Sequence, residues 1–406
     1  MSTAEDQQAA IAGAVERPDP NWLRELLEEL EQIHRPSASE GELRAARWLV
    51  KRLGRLGAGA RVEIERAHGT YWWPLGIGAA IGAAAGIAGL RGRRLRGAVA
   101  GLAAGALIAD EYPPGKRRLR RMLPQGETSN VVCEVGPEDA ERTVVVVAHH
   151  DAAHSGLIFH PAIPQIADRA GLIERSNTSP MLMAPVVGGP LIAGVGSLLG
   201  SRALLRLGTV LSAGTVAAMA DIGSRETVAG ANDNGTAVVS LLALAKRFLA
   251  KPTQKTRVIL LSAGSEESFS EGIKAFGERH FDSLPRESTF FLCMDTTGSP
   301  HLNVLRGEGF LKMWEYPQPA LDLIDGLAEE LGIWLFPDLR LHNGTDVLEP
   351  LAAGYPTVAL CSCTDLKQPA NYHWPSDVAE NVDHETVADG VQLAEAVIRR
   401  LDDRWL

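Results

Sequence analysis

The stretch RTVVVVAHHD, residues 142–151, decides the fold. Its consecutive valines are β-branched and apolar, which reads as a short buried strand, and the run ends in two imidazoles and a carboxylate. Similar runs recur along the chain: SNVVCEV (129–135), TRVILLSA (256–263), STFFLCMD (288–295), LNVLRG (302–307) and PTVALC (356–361), while ARVEIERA (60–67) alternates like a strand. Stretches with helical spacing lie between or around them: NWLRELLEELEQIHR (21–35), TAVVSLLALAKRFLA (236–250), SEGIKAFGERHF (270–281), PALDLIDGLAEELG (319–332) and ETVADGVQLAEAVIRRL (385–401). A further helix is expected from PSASEGELRAARWLVKRLG (36–54), with Ser37 and Glu40 as its capping box. Strands alternating with helices predict an α/β domain with a mostly parallel central sheet flanked by helices. Such sheets carry their ligands at the carboxyl ends of strands.

The 406 residues suffice for one large domain, here expected to be discontinuous over 20–406. A formal net charge of −10 argues against nucleic acid as a partner, because neutralising phosphates takes a Lys/Arg surplus. The four cysteines form no disulfide framework, and Cys361 and Cys363 read as small apolar strand residues. The start, MSTAEDQQAA, is polar and acidic and does not read as a signal peptide.

Two regions do not fit this domain. Residues 72–110 and 181–222 each read as two apolar segments joined by a short basic turn, a hydrophobic helical hairpin inserted into the domain. The first segment of each is about as long as the ~20 residues that cross a bilayer. Gly78, Gly82 and Gly86, and then Gly97, Gly101 and Gly105, make small-xxx-small ladders that let helix backbones approach closely. Trp72 and Trp73 stand where an interfacial aromatic belt would lie. The second hairpin is the weaker candidate, since Arg206 interrupts its return segment. The hairpins are therefore expected to meet membrane lipid. The basic turn RGRRLR (91–96) argues for one sidedness and GKRRLRR (115–121) for the other; a long acidic N-terminal segment without a signal favours a cytoplasm-facing catalytic domain. A hairpin that enters one leaflet without crossing is the other possibility.

Polar residues gather where the strands end. His149, His150 and Asp151 follow the valines; Asp233 sits in the loop GANDNG; Glu266 and Glu267 follow VILLSAGS; Asp295 follows FFLCM; His373 lies in NYHWPSD. Two imidazoles and several carboxylates are the donor set that a pair of zinc ions takes. The charges balance: two Zn²⁺ against Asp233, Glu267, Asp295 and a hydroxide, with His149 and His373 neutral.

In order, AHHD, GANDNG, SEES, CMDTTG and YHWPSD resemble the landmarks of the zinc-dependent aminopeptidase family of the MH clan, which also contains glutamate carboxypeptidase-like enzymes. The resemblance implies the phosphorylase/hydrolase-like fold of the dizinc aminopeptidases, a peptide or amino-acyl substrate, and removal of N-terminal residues by a zinc-bridging hydroxide. It implies that His149 and Asp295 hold one zinc and His373 and Glu267 the other. Asp233 would bridge the two, Glu266 would act as general base, and Asp151 would orient His149 through its second nitrogen. His150 and His154 are expected to be non-ligands facing the substrate cleft. The loop containing His342 and Asp346 resembles a family loop that lines the substrate pocket. The alternatives are a single-zinc glutaminyl cyclase, an inactive receptor or scaffold of the same fold and, more remotely, a transporter.

Overall fold

A computed structural model describes residues 15–406, so the reading of the first ten residues lies outside the described chain. The chain opens with α1 (Pro20–Leu30), α2 (Glu40–Leu56), β1 (Ala60–Ala67), α3 (Trp72–Leu90), α4 (Arg94–Glu111), β2 (Gly126–Val135) and β3 (Arg142–His149). It continues through α5 (Ala162–Arg169), α6 (Ala184–Leu199), α7 (Arg202–Ser224), α8 (Thr236–Ala250), β4 (Thr256–Ala263), α9 (Glu271–His280), β5 (Thr289–Met294) and β6 (His301–Val304). It closes with the short β7 (Gly307–Glu308) and β8 (Trp314–Glu315), α10 (Gln318–Leu331), β9 (Arg340–Leu341), α11 (Leu348–Ala352), β10 (Thr357–Cys363) and α12 (His384–Asp403).

All seven runs read as strands lie in one sheet, ordered β1-β2-β4-β3-β5-β10-β6. The sheet is mixed. Its centre, β4-β3-β5-β10, is parallel, and the pairs toward each edge are antiparallel. Val144 to Val147 of β3 are wholly buried, as strands covered on both faces require. α8 owes its burial to TAVVSLLALA: it packs on β3 and β4 and is covered in turn by α1, α2 and α12. Cys361 and Cys363 are buried, free thiols on β10.

The cap of α2 differs from the sequence expectation. Ser39, not Ser37, accepts from the backbone of Gly41 and Glu42. Both positions match the cap pattern, but the Ser37 hydroxyl is taken by Asp151, 2.6 Å away.

The two inserted hairpins, α3–α4 and α6–α7, are not separate. They pack on each other as one four-helix bundle. Glycine sets the helix spacing: a Cβ on Gly101 would lie 2.8 Å from the Cα of Gly194, and one on Gly208 would lie 2.4 Å from the backbone nitrogen of Ala193. α3 and α7 are long and apolar enough to cross a membrane. In the second hairpin the long member is thus the return segment, with Arg206 about one turn from its start, while α6 has only 16 residues because residues 181–183 form a turn before it.

The bundle's close packing makes a direct contrast testable. Gly208→Ala should destabilise the protein by about 1–3 kcal/mol through overpacking. Gly214→Ala, also on α7 but with no atom near its would-be Cβ, should leave stability unchanged or raise it by up to about 1 kcal/mol. Denaturant unfolding of the two variants checks the difference.

Candidate metal centre

Parallel pairing brings the carboxyl ends of β4, β3, β5 and β10 to one edge of the sheet. His149 closes β3 and pairs in register with Ala263, the last residue of β4. Glu266 and Glu267 follow β4 in a single helical turn, Asp295 follows β5 directly, and His373 lies beyond β10. Asp233 comes from the loop that leads into α8, where the Asp233–Asn234 peptide is cis.

The two oxygens of Asp233 face different imidazoles. Oδ1 is 3.3 Å from His149 Nε2, and Oδ2 is 3.1 Å from His373 Nε2. His373 Nε2 is also 3.2 Å from Glu267 Oε2, and His149 Nε2 is 4.0 Å from Glu266 Oε2. Donor atoms of His149, Asp233 and Asp295 lie within 4.8 Å of one another; so do those of Asp233, Glu267 and His373, and those of His149, Glu266 and Glu267. The first two groups share Asp233. They are the groupings that the motif resemblance implies for two ions.

Asp151 is the positioning residue of the cluster. Its carboxylate accepts from Ser37 Oγ at 2.6 Å and from the backbone nitrogens of Glu266 and Glu267 at 3.0 Å each, and it lies 3.4 Å from His149 Nδ1. One side chain thus orients the imidazole of β3 and the turn after β4.

Several residues given no catalytic or metal role in the sequence support the site. Arg35 is buried and donates to the carbonyls of Ala229 and Gly230 at 2.5 and 2.7 Å, fixing the loop that carries Asp233. Asp377, the last residue of YHWPSD, accepts from the nitrogens of Asn232 and Asp233 at 2.7 and 3.1 Å. Glu42 accepts from Ser265 Oγ and Ser129 N at 2.7 and 2.8 Å, tying α2 to the turn before Glu266. Asp346 is buried beside the cluster with neither oxygen hydrogen-bonded. Asp377 and Asp346 lay inside stretches already singled out, whereas Arg35 and Glu42 carry no local signal at all.

His150 and His154 enter none of the donor groups. His150 does not face a cleft: it is fully buried, 2.9 Å from Ser262 Oγ, and burial holds its pKa down at about 4. His154 Nδ1 is 2.8 Å from the Arg225 carbonyl, and its ring lies 4.5 Å from that of Trp72.

The electrostatics match a site built for cations. Burial raises the pKa of Glu266 and of Asp295 well above the carboxylate range, and neighbouring carboxylates add to it. Burial lowers the affinity of His373 for a proton, yet Glu267 and Asp233 outweigh it and push its pKa up to about 10. His149 Nε2, which faces Asp233, and Glu267 Oε1 are buried without a hydrogen-bond partner. Buried polar atoms are rarely left so. The donor set therefore fits a pair of divalent ions such as zinc, which would replace repulsion among carboxylates with coordination.

Residues 210–398 match the model of peptidase family M28. The match includes Asp233, Glu266, Glu267, Asp295 and His373, and the resemblance to dizinc aminopeptidases holds. Solved structures agree in fold. A Zn-dependent exopeptidase from Parabacteroides distasonis aligns with a TM-score of 0.56 at 13% identity, over 95% of this chain and 99% of that one. The aminopeptidase from Aneurinibacillus sp. strain AM-1 aligns at 0.57 and 13%, over 97% and 95%. The glutaminyl cyclase of Bacteroides thetaiotaomicron aligns at 0.54 and 12%, over 95% and 99%. No curated protein matches the chain in sequence.

Support by Asp377 can be measured without catalysis. Asp377→Ala frees the backbone around Asp233 and should weaken metal binding by about 10–100-fold. Metal retained per chain after dialysis against a buffered chelator is the readout.

Proposed function

We propose that this M28-like chain is a dizinc aminopeptidase, acting on peptide or amino-acyl substrates and associated with membrane lipid through its bundle. One observation carries the reading: each oxygen of Asp233 faces its own imidazole, with Asp295 completing the donors around His149 and Glu267 those around His373. Both halves of the site keep a full set of protein donors. Zinc bound there would polarise the scissile carbonyl and make water acidic enough to be activated near neutral pH.

The chain's own residues would do the rest. Glu266 stands beside Glu267 and, as general base, would take a proton from the attacking water and deliver it to the leaving amine nitrogen. Asp151 holds His149 and, through two backbone nitrogens, fixes the turn that carries Glu266 and Glu267. An inactive receptor or scaffold of this fold is disfavoured, because none of the expected donors is missing.

A single-zinc glutaminyl cyclase is the second reading, since cyclases such as the one from Bacteroides thetaiotaomicron share the fold equally well. Metal count separates the two. Elemental analysis of zinc-supplied protein should give about two ions per chain for the peptidase. One ion, with cyclisation of an N-terminal glutamine peptide, would replace that reading with the cyclase.

Glu266→Gln should retain the metal and lose about 10²–10⁴-fold in turnover of an aminoacyl substrate. Asp233→Ala should lose metal as well, because its two oxygens serve both halves of the site. Full turnover in Glu266→Gln would remove Glu266 from the general-base role.

A further inference from the structure

The bundle has the surface of a membrane-embedded object, and its base is part of the metal centre's wall. No charged or histidine residue occurs in 72–90, 97–109, 184–199 or 207–220. At 1.5 Å per residue these charge-free lengths run from about 20 Å to about 28 Å. The hydrocarbon core of a bilayer is about 30 Å, and long arginine side chains reach outward to cover a shortfall of this size. Every helix contributes exposed apolar side chains: Ile87 is 41% exposed, Val99 63%, Leu198 57% and Val210 67%. The apolar surface thus surrounds the bundle instead of marking one face, which is what lipid covers and what a single docked protein would not.

The ends of the bundle differ. Both hairpin turns lie together at its tip, since a Cβ on Gly200 would meet the Arg94 guanidinium at 2.6 Å. Arg91, Arg93, Arg94, Arg96, Arg202 and Arg206 crowd there, all exposed. Among the described residues, no carboxylate forms an ion pair with any of the six. Phosphate headgroups offer the missing counter-charge, and six like charges oppose the approach of a second copy's tip.

The base touches the residues around the metal donors. The Tyr71 ring stacks on Phe269 at 5.1 Å, two residues beyond Glu267. Asp221 of α7 accepts from the backbone nitrogen of Leu157 at 2.6 Å, and Phe159, two residues on, packs edge-on to His373 at 4.5 Å. The connection from there to α6 includes α5, which buries none of its residues, and it exposes Leu157, Ile166, Leu172 and Leu182. A connection that exposes apolar side chains among polar ones is therefore attached to the base at both of its ends.

We infer that the bundle inserts into an anionic bilayer, with its arginine tip on lipid phosphates and its base at the opposite interface. The metal centre then sits at the membrane surface and takes peptides whose N-termini are held there by a lipid-embedded remainder. The substrate clause rests on the aminopeptidase reading; the anchor does not.

The test uses the full chain, reconstituted with zinc. It is floated with vesicles of phosphatidylcholine alone and of phosphatidylcholine with phosphatidylglycerol. Wild type should float with both, resist a high-salt wash, and bind the anionic vesicles more strongly; replacing the six tip arginines by Gln should remove that preference. Val99→Glu, Leu198→Glu and Val210→Glu together, all outward-facing, should abolish flotation while hydrolysis of a free peptide persists. On vesicles, a peptide tethered to lipid through its C-terminal end should be cleaved about 10²-fold more efficiently than the same peptide free, through its raised local concentration. A wild-type protein that is soluble without detergent and does not float would overturn the anchor. Equal cleavage of tethered and free peptide by floated protein would overturn the substrate clause. Cleavage of neither peptide would overturn the aminopeptidase reading, and flotation would still judge the anchor.

Discussion

Like charge buried at the edge of a β-sheet is the constraint on which the rest of this molecule turns. Asp151, Asp233, Glu266, Glu267, Asp295 and Asp346 converge around two imidazoles, and burial with mutual repulsion drives several of them toward the protonated form. Burial and Asp151 raise Glu42 to about 7, and burial and Asp233 raise Asp377 to about 8. Buried like charge of this kind is costly without a counter-charge, and the divalent cations proposed for the site would supply one. The parallel centre of the sheet makes the gathering possible, because only parallel neighbours end their strands at one edge.

What gathers the donors is distinct from what aligns them. Asp151 reaches an imidazole from β3, a hydroxyl from the segment before α2 and two amides after β4, so three separate parts of the chain are referenced to one carboxylate. Arg35 and Asp377 perform the same office for the Asp233 loop from opposite ends of the sequence. Burial lowers the Arg35 pKa to about 10, still far above neutrality. Arg35 therefore contributes a permanent positive charge inside a negative cluster as well as two hydrogen bonds.

The donors were legible because each stands at the end of an apolar run, where strand periodicity stops and chemistry begins. Arg35 and Glu42 were not, because their partners lie about 195 and 223 residues away, and spacing along the chain says nothing about such pairs. Ser37 and Ser39 show the limit of a local rule. Both satisfy the cap pattern with a Glu three residues on, and a contact with Asp151, 114 residues away, decides between them. The hairpins were readable one by one from their paired apolar segments, the first also from its glycine ladders. That they form one bundle was not, since the glycines that let α4 meet α6 and α7 meet α6 are complementary only in three dimensions.

Bundle and metal centre are also joined by buried charge. Glu111, the last residue of α4, pairs with Arg120 at 2.7 Å, both almost wholly buried. Arg120 also donates to the carbonyl of Ser268 and lies 3.2 Å from Glu271, which itself accepts from the backbone nitrogens of His68 and Gly69 just before α3. A buried pair of this kind adds little net stability, but losing one partner strands the other at a cost of about 3–5 kcal/mol. Its effect is to fix geometry: the end of α4, the approach to α3 and the turn bearing Glu266 and Glu267 share one set of charges. Displacing the bundle relative to the sheet would have to break that set. The insertions are therefore built into the rigidity of the candidate site and are not appendages that the α/β domain merely carries.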